Sequence, residues 1–297
     1  MSGLDYKLLS ALSAIIETQS FELAANKLFI SQSAISQRIK LLEENFSHPV
    51  LIRSHPIRLT RVGEQLLSHY KKVQQLENEL LPDLMCEKPT TPVRISLAVN
   101  ADCIATWFIN AISQILKENL VELNLLIDHE ERTLDKLRSG EAIGAVSVIE
   151  KPLKGYRSFK LGIMNYSLVA SQGFKDKYFK EGVTTASLKM APGVSFDLKD
   201  AMHTRFISKH FDLAPSEYYC HSVGSSEAFV ELAKQGVAYC LLPDLQIKDE
   251  LASGELVKIC PEKQLVQTLY WHSWVLAKGI NRKISQDIIQ VGRSLLL

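Results

Sequence analysis

An α + α/β protein, with a helical head, a long linker helix and a C-terminal domain of two α/β lobes, is the fold class predicted from three observations. The 297 residues suffice for about two domains. Residues 1 to 85 carry apolar side chains at helical spacing, as in Leu8, Leu12, Ile15 and Ile16, with Pro49, Pro56 and Gly63 as interruptions. Past the polar run Cys86 to Pro92, whose prolines and threonines mark a linker, strand-like alternation and helical spacing take turns. The composition, 46% hydrophobic and 23% charged, is that of ordinary globular material. No apolar run approaches the ~18 residues of a membrane span, and Met1 to Asp5 lack the basic n-region of a secretory signal. Five scattered cysteines without a CxxC pair argue against a disulfide framework or a zinc cluster, so reduced thiols in a cytoplasm are expected.

Within the head, Phe21 to Glu43 (FELAANKLFISQSAISQRIKLLE) carries the most information. Leu23, Ala24 and Leu28 suit a short buried helix. A break at Phe29–Ile30–Ser31 follows, and Ser31 is a good N-cap for a second helix starting at Gln32. On that helix Ile35, Ile39 and Leu42 form an apolar stripe opposite Ser33, Ser36, Gln37 and Lys40. A solvated face would be rich in Glu and Lys. This one has hydroxyls, an amide and one cation, with no carboxylate before Glu43. Two helices and a short turn with such a face form a helix-turn-helix, whose second helix enters the major groove. There Gln reads adenine and Ser contacts bases or phosphate. The competing reading is a polar amphipathic helix on a bundle.

Charge bears on that choice. The chain's formal net charge is +1, and residues 1 to 92 hold ten basic and ten acidic groups. Between residues 27 and 61, however, Lys27, Arg38, Lys40, Arg53, Arg58 and Arg61 face only Glu43 and Glu44, a local +4. Arg53 and Arg58 bracket Ser54–His55–Pro56–Ile57 between Val50–Leu51–Ile52 and Leu59. That predicts a small β-hairpin, a wing setting cations beside a phosphate backbone, with a solvated surface hairpin as the alternative. After Gly63, the residues Leu66, Tyr70, Val73, Leu80 and Leu84 follow a seam interrupted by Glu77. They predict a dimerising helix that presents two reading heads, against packing on its own domain.

In the second half, Val93 to Val99, Val121 to Ile127 and Ala145 to Ile149 read as strands, with helices from Ile104 to Ile115 and from Thr133 to Leu137. Tyr166 to Ala170, Gly193 to Phe196 and Val237 to Leu242 form a second set, with a helix from Ser226 to Gln235. The alternation predicts βαβ units and a mostly parallel sheet. The expected domains are 1–62, a linker 63–92, and 93–297, with lobe I at about 93–165 and 270–297 and lobe II at about 166–269. Ligands of such sheets sit beyond the carboxyl ends of strands. That rule selects Asn100, Ala101 and Asp102, then Asp128, His129 and Glu130, then Ser147, Asp197, Ser225 and Ser226. The two serines at a helix start suit a carboxylate, and Asp102, Asp128 or Asp197 an ammonium or guanidinium. Equally, Ser225 or Ser226 caps its helix and Asp102 answers a helix dipole.

The stretch AANKLFISQSAISQRIKLLE, the wing LIRSHPIRLTRVG, the linker helix and the two lobes resemble the LysR-type bacterial transcriptional regulators from end to end. SLAVNADCIATW, SSEAFVELAKQG, LQIKDELASGEL and LYWH are similar to the branch of that family that responds to lysine and arginine in controlling arginine export. The resemblance implies a winged helix-turn-helix and a periplasmic-binding-protein-like effector domain, assembled as dimers or tetramers. It implies promoter contacts from Ser31, Gln32, Ser33, Ser36, Gln37 and Lys40, with Arg53 and Arg58 on the wing. Lysine or arginine is the implied effector, with no cofactor, metal or membrane, and RNA polymerase is an expected partner in controlling amino-acid export or biosynthesis genes. The wing tip lacks the extra cations of the family pattern.

Two other classes remain to be weighed. An enzyme is disfavoured because HExxH, GxSxG, GxGxxG and the P-loop are all missing, and His129 between Asp128 and Glu130 has no paired nucleophile. An architectural or replication-origin-binding protein would use the same head, but two cleft-forming lobes would be superfluous to it.

Overall fold

The computed structural model describes residues 4–85, 92–197 and 200–296, with residues 79–85 described by their backbone alone. In chain order the elements are α1 (Tyr6–Thr18), α2 (Phe21–Lys27), α3 (Gln32–Phe46), β1 (Leu51–Ile52), β2 (Arg58–Leu59), α4 (Arg61–Met85) and β3 (Val93–Val99). Next come α5 (Ala101–Cys103), a π-helical stretch Ile104–Phe108, α6 (Ile109–Glu118), β4 (Val121–Ile127), α7 (Thr133–Arg138) and β5 (Gly144–Ser147). Then follow β6 (Tyr156–Ala170), α8 (Gln172–Tyr178), α9 (Thr185–Met190), β7 (Gly193–Ser195), α10 (Ala201–Phe211) and β8 (Cys220–Ser222). The chain closes with α11 (Ser226–Lys234), β9 (Cys240–Pro243), α12 (Lys248–Ser253), β10 (Val257–Lys258), β11 (Gln264–Trp274) and α13 (Gly279–Leu295). Two compact units emerge: residues 1–97 with 120–124 and 135–143, and residues 98–119, 125–134 and 144–297.

In the first unit each of the three leading helices starts on a side-chain cap. Asp5 accepts from the Lys7 amide, Ser20 from Leu23 and Ser31 from Ala34, satisfying donors that the first turn leaves orphaned. Leu9, Leu12 and Ile15 of α1, Ala24 of α2, and Ile35 and Ile39 of α3 are fully buried in one cluster. β1 and β2 pair antiparallel, Leu51 with Leu59 and Ile52 with Arg58, so the expected hairpin is present. Gly63, in the first turn of α4, lies where a Cβ would meet the Val50 carbonyl oxygen at 2.1 Å. Gly63→Ala is therefore expected to cost about 2–3 kcal/mol through overpacking. Urea unfolding followed by helical circular dichroism checks this, and an unchanged midpoint would refute the close approach.

In the second unit β6 pairs with β9, β10 and β11, and β11 also pairs with β5. The expectation of a mostly parallel sheet is corrected here. β6 pairs antiparallel with β11 from Ser167 opposite Gln264 to Tyr156 opposite Trp274, and antiparallel with β9 and β10. β11 is also antiparallel to β5. The short apolar runs that suggested βαβ units are real, but β6 begins ten residues ahead of the run read at Tyr166, and β11 was not read as a strand. Parallel pairing is seen between β7 and β8. Trp107, Trp271 and Tyr166 fill the core beside the sheet, and the Trp271 ring occupies the space a Cβ on Gly144 would need. A second cluster, built on Val169, Val194, Val230, Cys240 and Leu242, is the core of the other lobe. Among the described residues, no helix is long and apolar enough to cross a membrane, and no group of His, Cys, Asp or Glu could hold a metal ion.

Candidate functional site

Two surfaces follow from this fold. On α3 the amphipathic pattern resolves as its spacing implies: Ile35, Ile39 and Leu42 are buried, while Gln32, Ser33, Ser36, Gln37 and Lys40 are exposed. The Ser31 hydroxyl is also exposed but committed, accepting from the Ala34 amide at 3.2 Å and lying 2.9 Å from Ser33 Oγ. Lys40 pairs loosely with Glu44 at 3.7 Å, an exposed contact of little energetic weight. On the hairpin Arg53 and Arg58 are both exposed, and the Arg53 guanidinium sits 5.8 Å from the Phe21 ring centre. Gln19 holds the hairpin tip, accepting from the Ile57 amide at 2.8 Å and donating to its carbonyl. No pattern in the sequence announced that clamp, because Gln19 lies 38 residues away.

The seam on α4 is partly used up inside the chain. Leu66 is 8% exposed and belongs to the head's own core, with Tyr70 packed against it. Both are drawn in because the first turns of α4 close the bottom of the three-helix cluster. Val73 is half-buried, and the side chains of Leu80 and Leu84 lie outside the described residues.

The second unit contains a small cavity of about 50 Å³, walled by Asp102, Asp128, Glu130 and Asp200, with Phe196 and Phe229 as apolar lining. No Lys or Arg is among its described lining residues. Asn100, Ala101 and Asp102 come together there as expected, because β3 ends at Val99 and a helix begins at once. Asn100 caps that helix through its Oδ1 on the Cys103 amide at 3.2 Å. Glu130 is buried, accepts from Gln267 Nε2 at 3.3 Å, and has its carbonyl bonded by Ser147 Oγ at 2.9 Å. Asp200 caps α10, accepting from the Met202 and His203 amides. His203 is 3% exposed, and withdrawal from water lowers its pKa to about 4, so the ring stays neutral. Its Nε2 has no hydrogen-bond partner among the described residues.

Asp102 joins the two lobes through a proton count. Ser226 Oγ lies 2.7 Å from Asp102 Oδ1 and 2.9 Å from Gln246 Oε1. Gln246 Nε2 donates to the Ser226 carbonyl at 3.1 Å, which fixes the orientation of the amide. A hydroxyl has one hydrogen and cannot serve two acceptors at these distances. The Ser226 hydroxyl donates to the ionised Asp102, and both contacts are satisfied at once when Asp102 is protonated, below about pH 6, so that it donates to Ser226 and Ser226 to Gln246. Burial acts the same way, pushing the Asp102 carboxyl up to about 6, with Glu130 and Asp200 adding to the rise.

Some expected members stand back from the cavity. Ser147 is fully buried beneath it and supports Glu130 rather than the wall. Ser225 caps α11, accepting from Ala228 and donating to Glu227, so the capping reading holds for it. Asp197 meets the wall through His129, whose Nε2 lies 3.1 Å away. Ser226 acts through Asp102. Asp200, His203 and Phe229 were not among the expected residues. Glu130 was, at the end of its strand, although its reach to Gln267 was not visible.

Comparison with known proteins places these surfaces in context. Residues 6–64 match the family described as bacterial regulatory helix-turn-helix protein, lysR family, and residues 92–274 match the LysR substrate binding domain. The chain is 51% identical to the HTH-type transcriptional regulator ArgP of Aeromonas salmonicida, over 100% of this chain and 99% of that one. It is 45% identical to the Salmonella typhi protein of the same name, over 98% of each. Among solved structures, ArgP from Mycobacterium tuberculosis superposes with a TM-score of 0.85 at 32% identity, covering 99% of both chains. Full-length LysG from Corynebacterium glutamicum, with bound effector Arg, gives 0.77 at 27% identity, covering 98% of this chain and 99% of that one.

Proposed function

Because this chain belongs to the lysR family of bacterial helix-turn-helix regulators, we propose that it reads promoter DNA with α3 and the β1–β2 hairpin and answers a cationic amino acid, arginine or lysine, held in the acidic cavity. It is a DNA-binding transcriptional regulator and not an enzyme. Gln32, Ser33, Ser36, Gln37 and Lys40 face the groove, and Ser31 orders the helix start. Arg53 and Arg58 meet phosphates. Residues 1–62 act as the reading head, 63–92 as the linker and 93–297 as the sensor. A homodimer or homotetramer forms through α4 beyond Tyr70, RNA polymerase is the further partner at the promoter, and the cytoplasm is the compartment where it meets both.

The observation that carries the effector reading is the cavity's charge: Asp102, Asp128, Glu130 and Asp200 line it with no Lys or Arg among the described lining residues, and the Arg205 guanidinium behind Glu130, at 3.8 Å, offsets one of the four. A guanidinium or ammonium about 4 Å from one such carboxylate gains roughly 4 kcal/mol at an effective dielectric near 20. The first-turn amides of Ala101 and Asp102 have no intrahelical partner and suit the effector's carboxylate. Among structural relatives, the Corynebacterium glutamicum protein carries arginine.

A melting experiment tests this. Arginine or lysine at about 100 times its Kd stabilises the folded state by about 2.7 kcal/mol and raises Tm by a few degrees, whereas norleucine, lacking the side-chain cation, leaves Tm unchanged. If neither basic amino acid raises Tm, the effector reading falls.

A further inference from the structure

We propose that Phe29 is a DNA-contact residue, its ring packing on apolar atoms of the duplex, thymine methyls or deoxyribose carbons, at the edge of the groove that α3 enters. The proposal rests on α3 being the reading helix. Phe29 occupies the turn between α2 and α3, two residues before the Ser31 cap, and it is 95% exposed. Its neighbours behave in the opposite way: Leu28 and Ile30 both pack against the head's core. An apolar run of three thus sends two side chains inward and holds the largest one out.

The backbone makes that choice costly. The Ile30 amide bonds the Ala25 carbonyl at 3.1 Å and the Phe29 amide bonds Asn26 at 3.2 Å, the paired bonds of a Schellman motif ending α2. Phe29 sits at that motif's left-handed position, with φ at 55°. Glycine is preferred there, since a Cβ in this region crowds its own carbonyl. A phenylalanine is therefore disfavoured twice over, by its backbone and by its bare ring. At 95% exposure the ring gains almost no packing from the described residues. A compensating partner off the chain is therefore inferred, and the exposed residues that follow the turn, Gln32, Ser33 and Ser36, begin the helix assigned to the groove. An aromatic ring is suited to the uncharged parts of a duplex, and apolar contact with thymine methyls is an established mode of groove reading.

Phe29→Gly separates this role from a structural one. In the full-length protein, on a promoter fragment selected from genomic DNA, the variant is expected to bind about tenfold more weakly. Its Tm should be equal to or above that of the parent, because glycine suits the turn. The slope of log K against log salt should stay unchanged, because no phosphate contact is lost. Phe29→Leu, which keeps apolar bulk, should retain most of the affinity. Unaltered binding by Phe29→Gly overturns the proposal, as does a lowered Tm, which would mark the ring as structural. Gln32→Ala in the same series separates the two ideas: if it too leaves binding unchanged, the reading of α3 fails. If Gln32→Ala weakens binding and Phe29→Gly does not, the proposal for Phe29 alone fails.

Discussion

Arginine affinity is expected to fall about tenfold for each pH unit below about 6, and Asp102→Asn is expected to lose that dependence while binding about a hundredfold more weakly near neutral pH. The direction follows from the proton that Asp102 carries in the free protein below about pH 6. A cation in the cavity favours the carboxylate, so the bound state holds fewer protons than the free one. Binding then releases a proton, and acid opposes it by mass action. Asparagine keeps a donor toward Ser226, and with it the chain to Gln246, but supplies no charge. The groups around Asp102 permit this assignment. Ser226 bonds to it, Glu130 and Asp200 raise it, and the buried Cys103 thiol is pushed up and stays protonated. His203 is held neutral over the same range. Calorimetry in two buffers of different ionisation enthalpy reads the released proton directly. Equal pH slopes in the two proteins would sink the assignment. Without effector the sign for folding is also set: a raised carboxyl binds a proton more tightly folded than unfolded, so its contribution to stability is lost as pH rises through about 6.

Gln32→Ala should abolish most of the preference for the target promoter over random DNA. A paired hydrogen bond to one base discriminates by about 1–3 kcal/mol, and a dimer on two half-sites doubles the loss to about 2–6 kcal/mol. Arg53→Ala differs in kind: target and random DNA should weaken together, with the salt slope reduced by about one per head. Competition binding at several salt concentrations distinguishes the two. If Gln32→Ala kept the ratio of specific to random binding, α3 would not be the reading element.

The head was legible because its signals are local. Ser31 caps α3 where its hydroxyl predicts, and the Ile35–Ile39–Leu42 stripe needs only the helical period. Asn100, Ala101, Asp102 and Asp128 were legible for a different reason, since strand ends are visible in sequence and ligands gather there. Asp200 and His203 escaped because α10 was not read, and its starting residue reaches the cavity only through the packing of the second lobe. The long antiparallel pair β6–β11 escaped because β6 is interrupted by polar residues and Gly162, so its apolar run looked short. The Ser226–Asp102 bond spans 124 residues and has no sequence signature.

The reading face of α3 bears one cation, Lys40, already turned toward Glu44. If α3 is the reading helix, bulk chromosome, where binding is almost wholly electrostatic, gains from that face little beyond what Arg53 and Arg58 on the hairpin supply. Fewer molecules are then sequestered on irrelevant sequence, and the free pool tracks the number of copies in the cell. Promoter occupancy becomes sensitive to copy number, so a small change in the regulator's own synthesis shifts the response as surely as a change in the amino acid it senses.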